Sequence, residues 1–158
     1  MRRITLILSL VVVAIFSCHC DCDAANPLKK AKKGAREAPF VTLKNYHVRN
    51  DIDCSKAQQL IIDNEEEFNK YFGPAPLMGS APTDINWKHQ FVIAILLPET
   101  NKATMVTPMK VKESPGNIIF YYQVNRGHKT SYTLVPFAAI ALERAPNTEQ
   151  TQVFFIED

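Results

Sequence analysis

Residues 91–97 are apolar at every position, and this continuity constrains the fold more than any other feature of the sequence. The segment reads Phe-Val-Ile-Ala-Ile-Leu-Leu. Successive side chains of a strand point to opposite faces of a sheet, so a strand without polar positions must be covered on both faces. The segment therefore predicts a central strand with a layer of structure packed on each side.

The other apolar segments of residues 40–158 are short and end at Pro, Gly or Asn, which is typical of strands joined by turns. We expect further strands in residues 40–48, 58–62, 105–111, 118–124, 131–135, 138–143 and 152–156. Turns are expected at residues 114–117, which read Ser-Pro-Gly-Asn, and at residues 125–128. About eight mostly antiparallel strands would form a partly open barrel or a bent sheet.

One segment predicts a helix. Asp63 or Asn64 can cap its first N–H groups, and the glutamates 65–67 suit the positive end of the helix dipole. Residues 68–72 supply an apolar face, and Gly73 can end the helix with positive φ. The predicted class is therefore β-rich α+β, with one short early helix.

The N-terminal residues resemble a lipoprotein signal. Two arginines precede an apolar run of residues 4–16, which is shorter than the ~20 residues that span a membrane. The run ends in Ile-Phe-Ser-Cys18, which is similar to the bacterial lipobox. This resemblance implies a signal peptide in residues 1–17, lipidation of Cys18, and a cell-envelope location, as a surface-exposed or periplasmic outer-membrane lipoprotein. Ordinary secretion with cleavage near residues 24–25 is the alternative.

Two further cysteines follow Cys18. A metal site would need ligands that converge on a folded scaffold, whereas Cys20 and Cys22 lie in a segment with His19 as the only nearby nitrogen ligand. We therefore expect no metal and no cofactor. The two thiols are interpreted as reduced or as paired with Cys54.

Charge separates a tether from a single domain. Residues 18–39 contain a lysine cluster without apolar periodicity and predict a flexible tether, whose cations stay close to anionic head groups. Residues 40–158 then form one β-rich domain. Residues 38–158 hold 11 basic and 13 acidic side chains, so the basic face that nucleic-acid binding requires is not expected.

The sequence has no catalytic signature. It has no Gly-x-Ser-x-Gly elbow and no glycine-rich phosphate loop, and its histidines are dispersed. Asp51 and Asp53 beside Cys54 should raise the thiol pKa, which argues against a reactive thiolate. We expect neither an enzyme nor a small-molecule substrate.

The loop 73–84 is the candidate binding element, because three prolines stiffen it and two apolar residues lack a periodic partner. Leu77, Met78, Gly79 and Ser80 would contact a partner protein, since a stiffened loop loses less entropy on binding. The alternative is that Leu77 and Met78 fold back onto the domain.

Residues 58–144 resemble the small bacterial lipoproteins of the protease-complex-subunit type. The similarity comprises the aliphatic triplet with its acidic helix, an Asp-Ile-x-Trp phrase at 84–87, the apolar strand, the Ser-Pro-Gly turn and the phrase Val-Pro-Phe-Ala-Ala-Ile-Ala-Leu at 135–142. The Thr-Gly-Gly-Tyr segment of that family is replaced at 98–104. The resemblance implies a non-catalytic domain that binds or restrains a secreted protease.

Two functional hypotheses follow. The first is a lipid-anchored protein that binds, and inhibits or restrains, a secreted protease through the loop 73–84 or through turns at 98–102 and 125–129. The second is a structural or adhesion lipoprotein of the cell envelope without a protease partner. In that case the aromatic segment 120–122 would offer a sheet face or edge.

Overall fold

The computed structural model describes residues 27–32, 34–75, 79–144 and 151–158. Two helices and ten strands follow one another along these residues. In chain order they are α1 (Pro27–Lys32), β1 (Arg36–Ala38), β2 (Val41–Thr42), β3 (Tyr46–Val48), β4 (Gln58–Ile62), α2 (Glu65–Tyr71), β5 (Phe72–Pro74), β6 (Gln90–Leu96), β7 (Thr100–Ser114), β8 (Asn117–Leu134), β9 (Phe137–Glu143) and β10 (Gln152–Glu157).

The strands form two stacked four-stranded sheets and one small ladder. Sheet A has the order β1-β7-β8-β10, sheet B has the order β2-β9-β6-β4, and sheet C pairs β3 with β5. Every pairing is antiparallel except that of β10 with β8. The β-rich α+β class is confirmed. The strands divide between stacked sheets, in place of the single bent sheet or partly open barrel that the pattern allowed.

Strand β6 is the central strand that the apolar segment predicts. It lies between β9 and β4, and all of its residues from 91 to 96 are buried. Phe91, Ile93 and Ile95 pack between the two sheets, in a core that includes Phe120 and Ile140. The alternate residues of β6 face a second core on the other side of sheet B, beneath α2.

Helix α2 confirms the predicted N-terminus and corrects the predicted C-terminus. The Asn64 side chain accepts a hydrogen bond from the Glu67 N–H at 2.8 Å, and Phe68 is buried. Gly73 does not end the helix with positive φ, because Phe72 is already extended and Gly73 belongs to β5. Pairing of β5 with β3 therefore determines the end of the helix.

The folded part of the chain begins before residue 40. Helix α1 and β1 lie in the segment interpreted as a tether, and Ala31 is fully buried against Ile119 and Tyr121 of sheet A. The Ser114 hydroxyl donates to the Ala31 carbonyl at 3.0 Å. The apolar pair Leu28 and Ala31 lies among lysines, which hides its periodicity. Cys18, Cys20, Cys22 and the predicted signal peptide lie outside the described residues.

The aromatic segment 120–122 is not an available sheet face or edge. It lies within β8, between β7 and β10, and Phe120, Tyr121 and Tyr122 are all buried. The predicted turn at 114–117 is confirmed: β7 ends at Ser114, β8 begins at Asn117, and Gly116 has a φ of 72°.

Candidate functional site

Asn45 holds both arms of the loop 73–84. Its φ of 63° is left-handed, a conformation that Asn tolerates better than most residues, and it separates β2 from β3 where the sequence predicted one strand. Its carbonyl accepts a hydrogen bond from the Ala75 N–H at 2.8 Å. Its side-chain amide donates to Ser80 Oγ at 3.0 Å and to the Ala81 carbonyl at 2.9 Å. One residue thus joins the two arms.

The neighbours of Asn45 add three hydrogen bonds to the second arm. The Lys44 N–H donates to Thr83 Oγ1 at 3.0 Å, and the Lys44 carbonyl accepts from the Thr83 N–H at 3.2 Å. The Tyr46 hydroxyl donates to the Thr83 carbonyl at 2.7 Å. Burial, followed by nearby carboxylates, raises the pKa of Tyr46, so the hydroxyl remains a donor. The Tyr46 ring also packs edge-on against Phe68, which connects the loop base to the core.

The four predicted contact residues divide into two pairs. Leu77 and Met78 lie outside the described residues. Gly79 is exposed with a φ of 83°, and a side chain there would meet no neighbour within 4 Å. Ser80 is exposed and is fixed by Asn45. The structure therefore describes the base of the loop and leaves the proposed apolar contacts as predictions.

A groove of about 530 Å³ shares Tyr46 with this loop base. Its lining comes mainly from residues 46–50, in and after β3, and from residues 133–135, at the end of β8. Ile52, Cys54, Glu99 and Phe137 complete the lining. Strand β3 pairs only with β5 among the described strands, so one of its edges has no strand partner.

The groove brings Cys54 and His47 into one lining, but the thiol is not activated. Burial raises the pKa of Cys54, and the carboxylates of Asp53 and Glu99 raise it further. The thiol is therefore protonated at neutral pH, which confirms the direction expected from Asp53. The His47 imidazole lies against Gly73, where a Cβ would be 2.7 Å from Cε1. No three His, Cys, Asp or Glu side chains form a metal-binding group within the part of the chain that the structure describes.

The end of β8 differs from its prediction. The sequence predicted a turn at residues 125–128 and a separate strand after it, whereas β8 continues through this segment to Leu134. The turn-like residues form bulges instead. Thr100 pairs with Leu134 and Thr104 pairs with Arg126, so four residues of β7 lie opposite eight residues of β8. At Gly127 a Cβ would lie 2.9 Å from the Ala103 carbonyl oxygen, so glycine permits the close approach of the two strands.

The bulges place the two predicted turns side by side. Lys102, from the segment 98–102, lies directly opposite Lys129, from the segment 125–129. The Thr130 hydroxyl lies within donating distance of two carbonyls in the second bulge, Tyr132 at 2.7 Å and Asn101 at 3.0 Å, and its single proton serves one of them at a time. Glu99 and residues 133–135 extend this end of the ribbon to the groove.

Sequence reasoning missed the residues that support the loop. Asn45 and Tyr46 were assigned to a continuous strand, and their partners lie more than 30 residues away in the chain. The one local signal was Asn45 itself, the residue type that most often adopts positive φ after glycine.

Comparisons with protein-family models, with curated proteins and with solved structures gave no match to this chain. The resemblance to protease-complex-subunit lipoproteins therefore stays a prediction. In the described ranges no helix is long and apolar enough to cross a membrane.

Proposed function

We propose that this chain is a non-catalytic lipoprotein of the bacterial cell envelope, anchored through Cys18, that binds a secreted protease and inhibits or restrains it. The observation that carries the proposal is the attachment of both arms of the loop 73–84 to Asn45. A loop with fixed arms loses less conformational entropy when it binds. Leu77 and Met78, with Gly79 and Ser80, are the proposed contacts.

The groove supports a polypeptide partner. The strand β3 in its lining has one edge without a strand partner among the described residues. An extended peptide can add to such an edge through main-chain hydrogen bonds, while pockets accept alternate side chains. Tyr46 belongs to both the loop base and the groove lining, so a partner that binds the loop would also contact the groove beside this edge.

Binding without catalysis agrees with the state of the groove thiol. A nucleophilic cysteine needs a lowered pKa, which positive charge or a helix N-terminus usually supplies. Cys54 has a raised pKa and carboxylates beside it. This environment disfavours the thiolate that covalent chemistry would require.

The structure does not support the alternative, a structural or adhesion lipoprotein. It depended on the segment 120–122 as a free sheet face or edge, and that segment is buried between neighbouring strands. No other observation in the described residues favours it.

Affinity capture with the tagged full chain tests the protease proposal. Culture supernatant and solubilised envelope are passed over the immobilised chain, and retained peptidases are assayed with and without added chain. We expect a retained peptidase whose activity falls on addition of the chain, and whose retention falls with the double substitution Leu77→Ala and Met78→Ala. Recovery of no peptidase contradicts the proposal.

Metabolic labelling tests the anchor separately. Cells that express the chain are grown with a clickable fatty-acid analogue, and the chain is then purified. We expect label in the original chain and none in Cys18→Ser, with Cys20→Ser as the matched control that retains label. Label that persists in Cys18→Ser contradicts acylation at that residue.

A further inference from the structure

The charge of the domain is divided unevenly between the β7–β8 ribbon and the remainder. Residues 100–134 contain five basic side chains and one acidic side chain. The other residues of 38–158 contain six basic and twelve acidic side chains. A nearly neutral domain therefore has one strongly cationic element, and such a field attracts and orients anionic partners.

Most cations of the ribbon have carboxylates of the same chain beside them. Lys110 Nζ lies 3.5 Å from Asp158, and Arg126 Nη1 lies 3.5 Å from Glu157. Lys112 lies opposite Glu37 in the pairing of β7 with β1. Lys110 and Arg126 are therefore paired within the fold, and Lys112 has a carboxylate opposite it in the ladder.

Lys102 and Lys129 are the exception. They lie directly opposite each other in the β7–β8 ladder, and both are exposed. Neither belongs to an ion pair among the described residues. Like charges directly opposite on neighbouring strands destabilise the pairing. We therefore expect the opposed lysines to lower the stability of this end of the ribbon.

The surroundings of this lysine pair are those of an interaction surface. The second bulge of β8 exposes Ser131, Tyr132 and Thr133, and Tyr132 is 60% exposed. Tyrosine is enriched at protein interfaces, because it combines a large apolar ring with a polar end. Beyond the segments paired with β1 and β10, the ribbon has no strand on its outer edges within the described ranges.

We infer that the Lys102–Lys129 end of the ribbon binds an acidic segment of the partner polypeptide. This inference rests on the proposed partner-binding function and names the chemistry of the partner. The groove favours a polypeptide over a lipid surface, because a flat membrane cannot enter it. Helix α1 attaches beside Ser114, which lies about 40 Å of extended strand from Lys102 at ~3.3 Å per residue, so the lysine pair and α1 are at opposite ends of the ribbon.

Fluorescence anisotropy with the full chain in an uncharged detergent tests the inference. The probe is a fluorescein-labelled peptide of alternating Glu and Ser, and the control peptide has Gln in place of Glu. We expect the acidic peptide to bind in low salt and the control peptide not to bind. The double substitution Lys102→Gln and Lys129→Gln should weaken binding about tenfold, as expected for two lost exposed charge contacts.

The matched control is the double substitution Lys70→Gln and Lys88→Gln, which removes the same charge from exposed lysines outside the ribbon. It should leave affinity for the acidic peptide within about twofold of the original, because neither lysine lies on the ribbon that carries the proposed contact and a single exposed charge contributes little. Lys102→Glu is a second test variant, because it replaces the like-charge pair with an opposite-charge pair and is expected to keep or raise the stability of the fold. It should weaken binding of the acidic peptide at least as much as the Gln double variant does, because it adds a repelling carboxylate.

Four results would overturn the inference. The first two are absence of binding to the acidic peptide and equal losses of affinity in the two Gln double variants. The other two are binding of anionic phosphatidylglycerol vesicles but not of the peptide, and self-association of the chain as the only salt-sensitive event. The protease proposal is tested independently by capture. A peptidase retained equally by the original chain and by Lys102→Gln with Lys129→Gln overturns the inference and leaves the protease proposal standing. Peptide binding that maps to the lysine pair supports the inference even when no peptidase is retained.

Discussion

Asn45 and Ser80 are joined across the base of the proline-containing loop by a hydrogen bond of 3.0 Å from Nδ2 to Oγ. The two residues lie 35 positions apart in the chain. Because of this contact, the two arms of the loop between β5 and β6 start from a common point beside the groove. Order at the loop base is the physical property on which the proposed function depends.

Substitution of Asn45 should loosen this base. Asn45→Ala removes two side-chain hydrogen bonds, and alanine has no side-chain amide that could stabilise the left-handed conformation. We therefore expect a loss of about 1–2 kcal/mol in the free energy of unfolding. Asn45→Gly keeps the backbone conformation and removes only the side-chain bonds, so it should cost less. Urea denaturation measures both. Hydrogen exchange at the Ala75 and Thr83 amides should accelerate in both variants, and unchanged protection would contradict the assigned role.

The lysine pair makes an opposite prediction for stability. Lys102→Glu places a carboxylate opposite Lys129, and we expect an increase of ~0.2–1 kcal/mol in the free energy of unfolding at low salt. Lys88→Glu is the control with the same charge change outside the ribbon. The gain should shrink in 1 M salt, where the Debye length is ~3 Å. A loss of stability in Lys102→Glu, greater than that in the control, would show that the two lysines do not repel each other.

Gly127 should be intolerant of even a methyl group. In Gly127→Ala the new Cβ would lie 2.9 Å from the Ala103 carbonyl oxygen, which belongs to the backbone and can move only with β7. We expect a loss of about 1–3 kcal/mol, the usual cost of overpacking. Ser131→Ala, on the exposed bulge of the same strand, is the control and should change stability by less than about 0.5 kcal/mol. Equal unfolding midpoints for the two variants would contradict the bulge geometry.

Cys54 gives the stability a specific pH dependence. Its pKa is raised in the folded state by burial and then by neighbouring carboxylates, so folding disfavours the thiolate. The contribution to stability is complete below the pKa of the unfolded thiol, about 8.5, and is lost as pH rises through the higher folded value. Unfolding measured from pH 7 to 10 should show a steeper loss for the original chain than for Cys54→Ala. Parallel pH profiles would show that Cys54 does not titrate differently on folding.

Local patterns predicted the elements that depend on local chemistry. The apolar segment of β6, the Asn64 cap of α2 and the Pro-Gly turn after Ser114 each follow from residues adjacent in the chain. Strand β4 has the predicted bounds, 58–62.

Long-range pairing determined the features that the sequence did not predict. Gly127 has turn chemistry, yet pairing with β7 keeps β8 extended and uses the glycine for close strand contact. The lysines around α1 hide the small apolar face that covers sheet A. The support of the loop by Asn45 depends on hydrogen bonds between distant segments, which no periodicity reveals.

Inhibition of the captured peptidase by graded amounts of the chain decides whether an ordered loop 73–84 restrains a protease. The original chain, Asn45→Gly and the double variant Leu77→Ala with Met78→Ala are titrated against the same peptidase. We expect inhibition by the original chain, weaker inhibition by Asn45→Gly because its loop base is loosened, and the weakest inhibition by the double variant. Equal inhibition by all three chains, or inhibition by none, would contradict the claim that an ordered loop 73–84 restrains a protease.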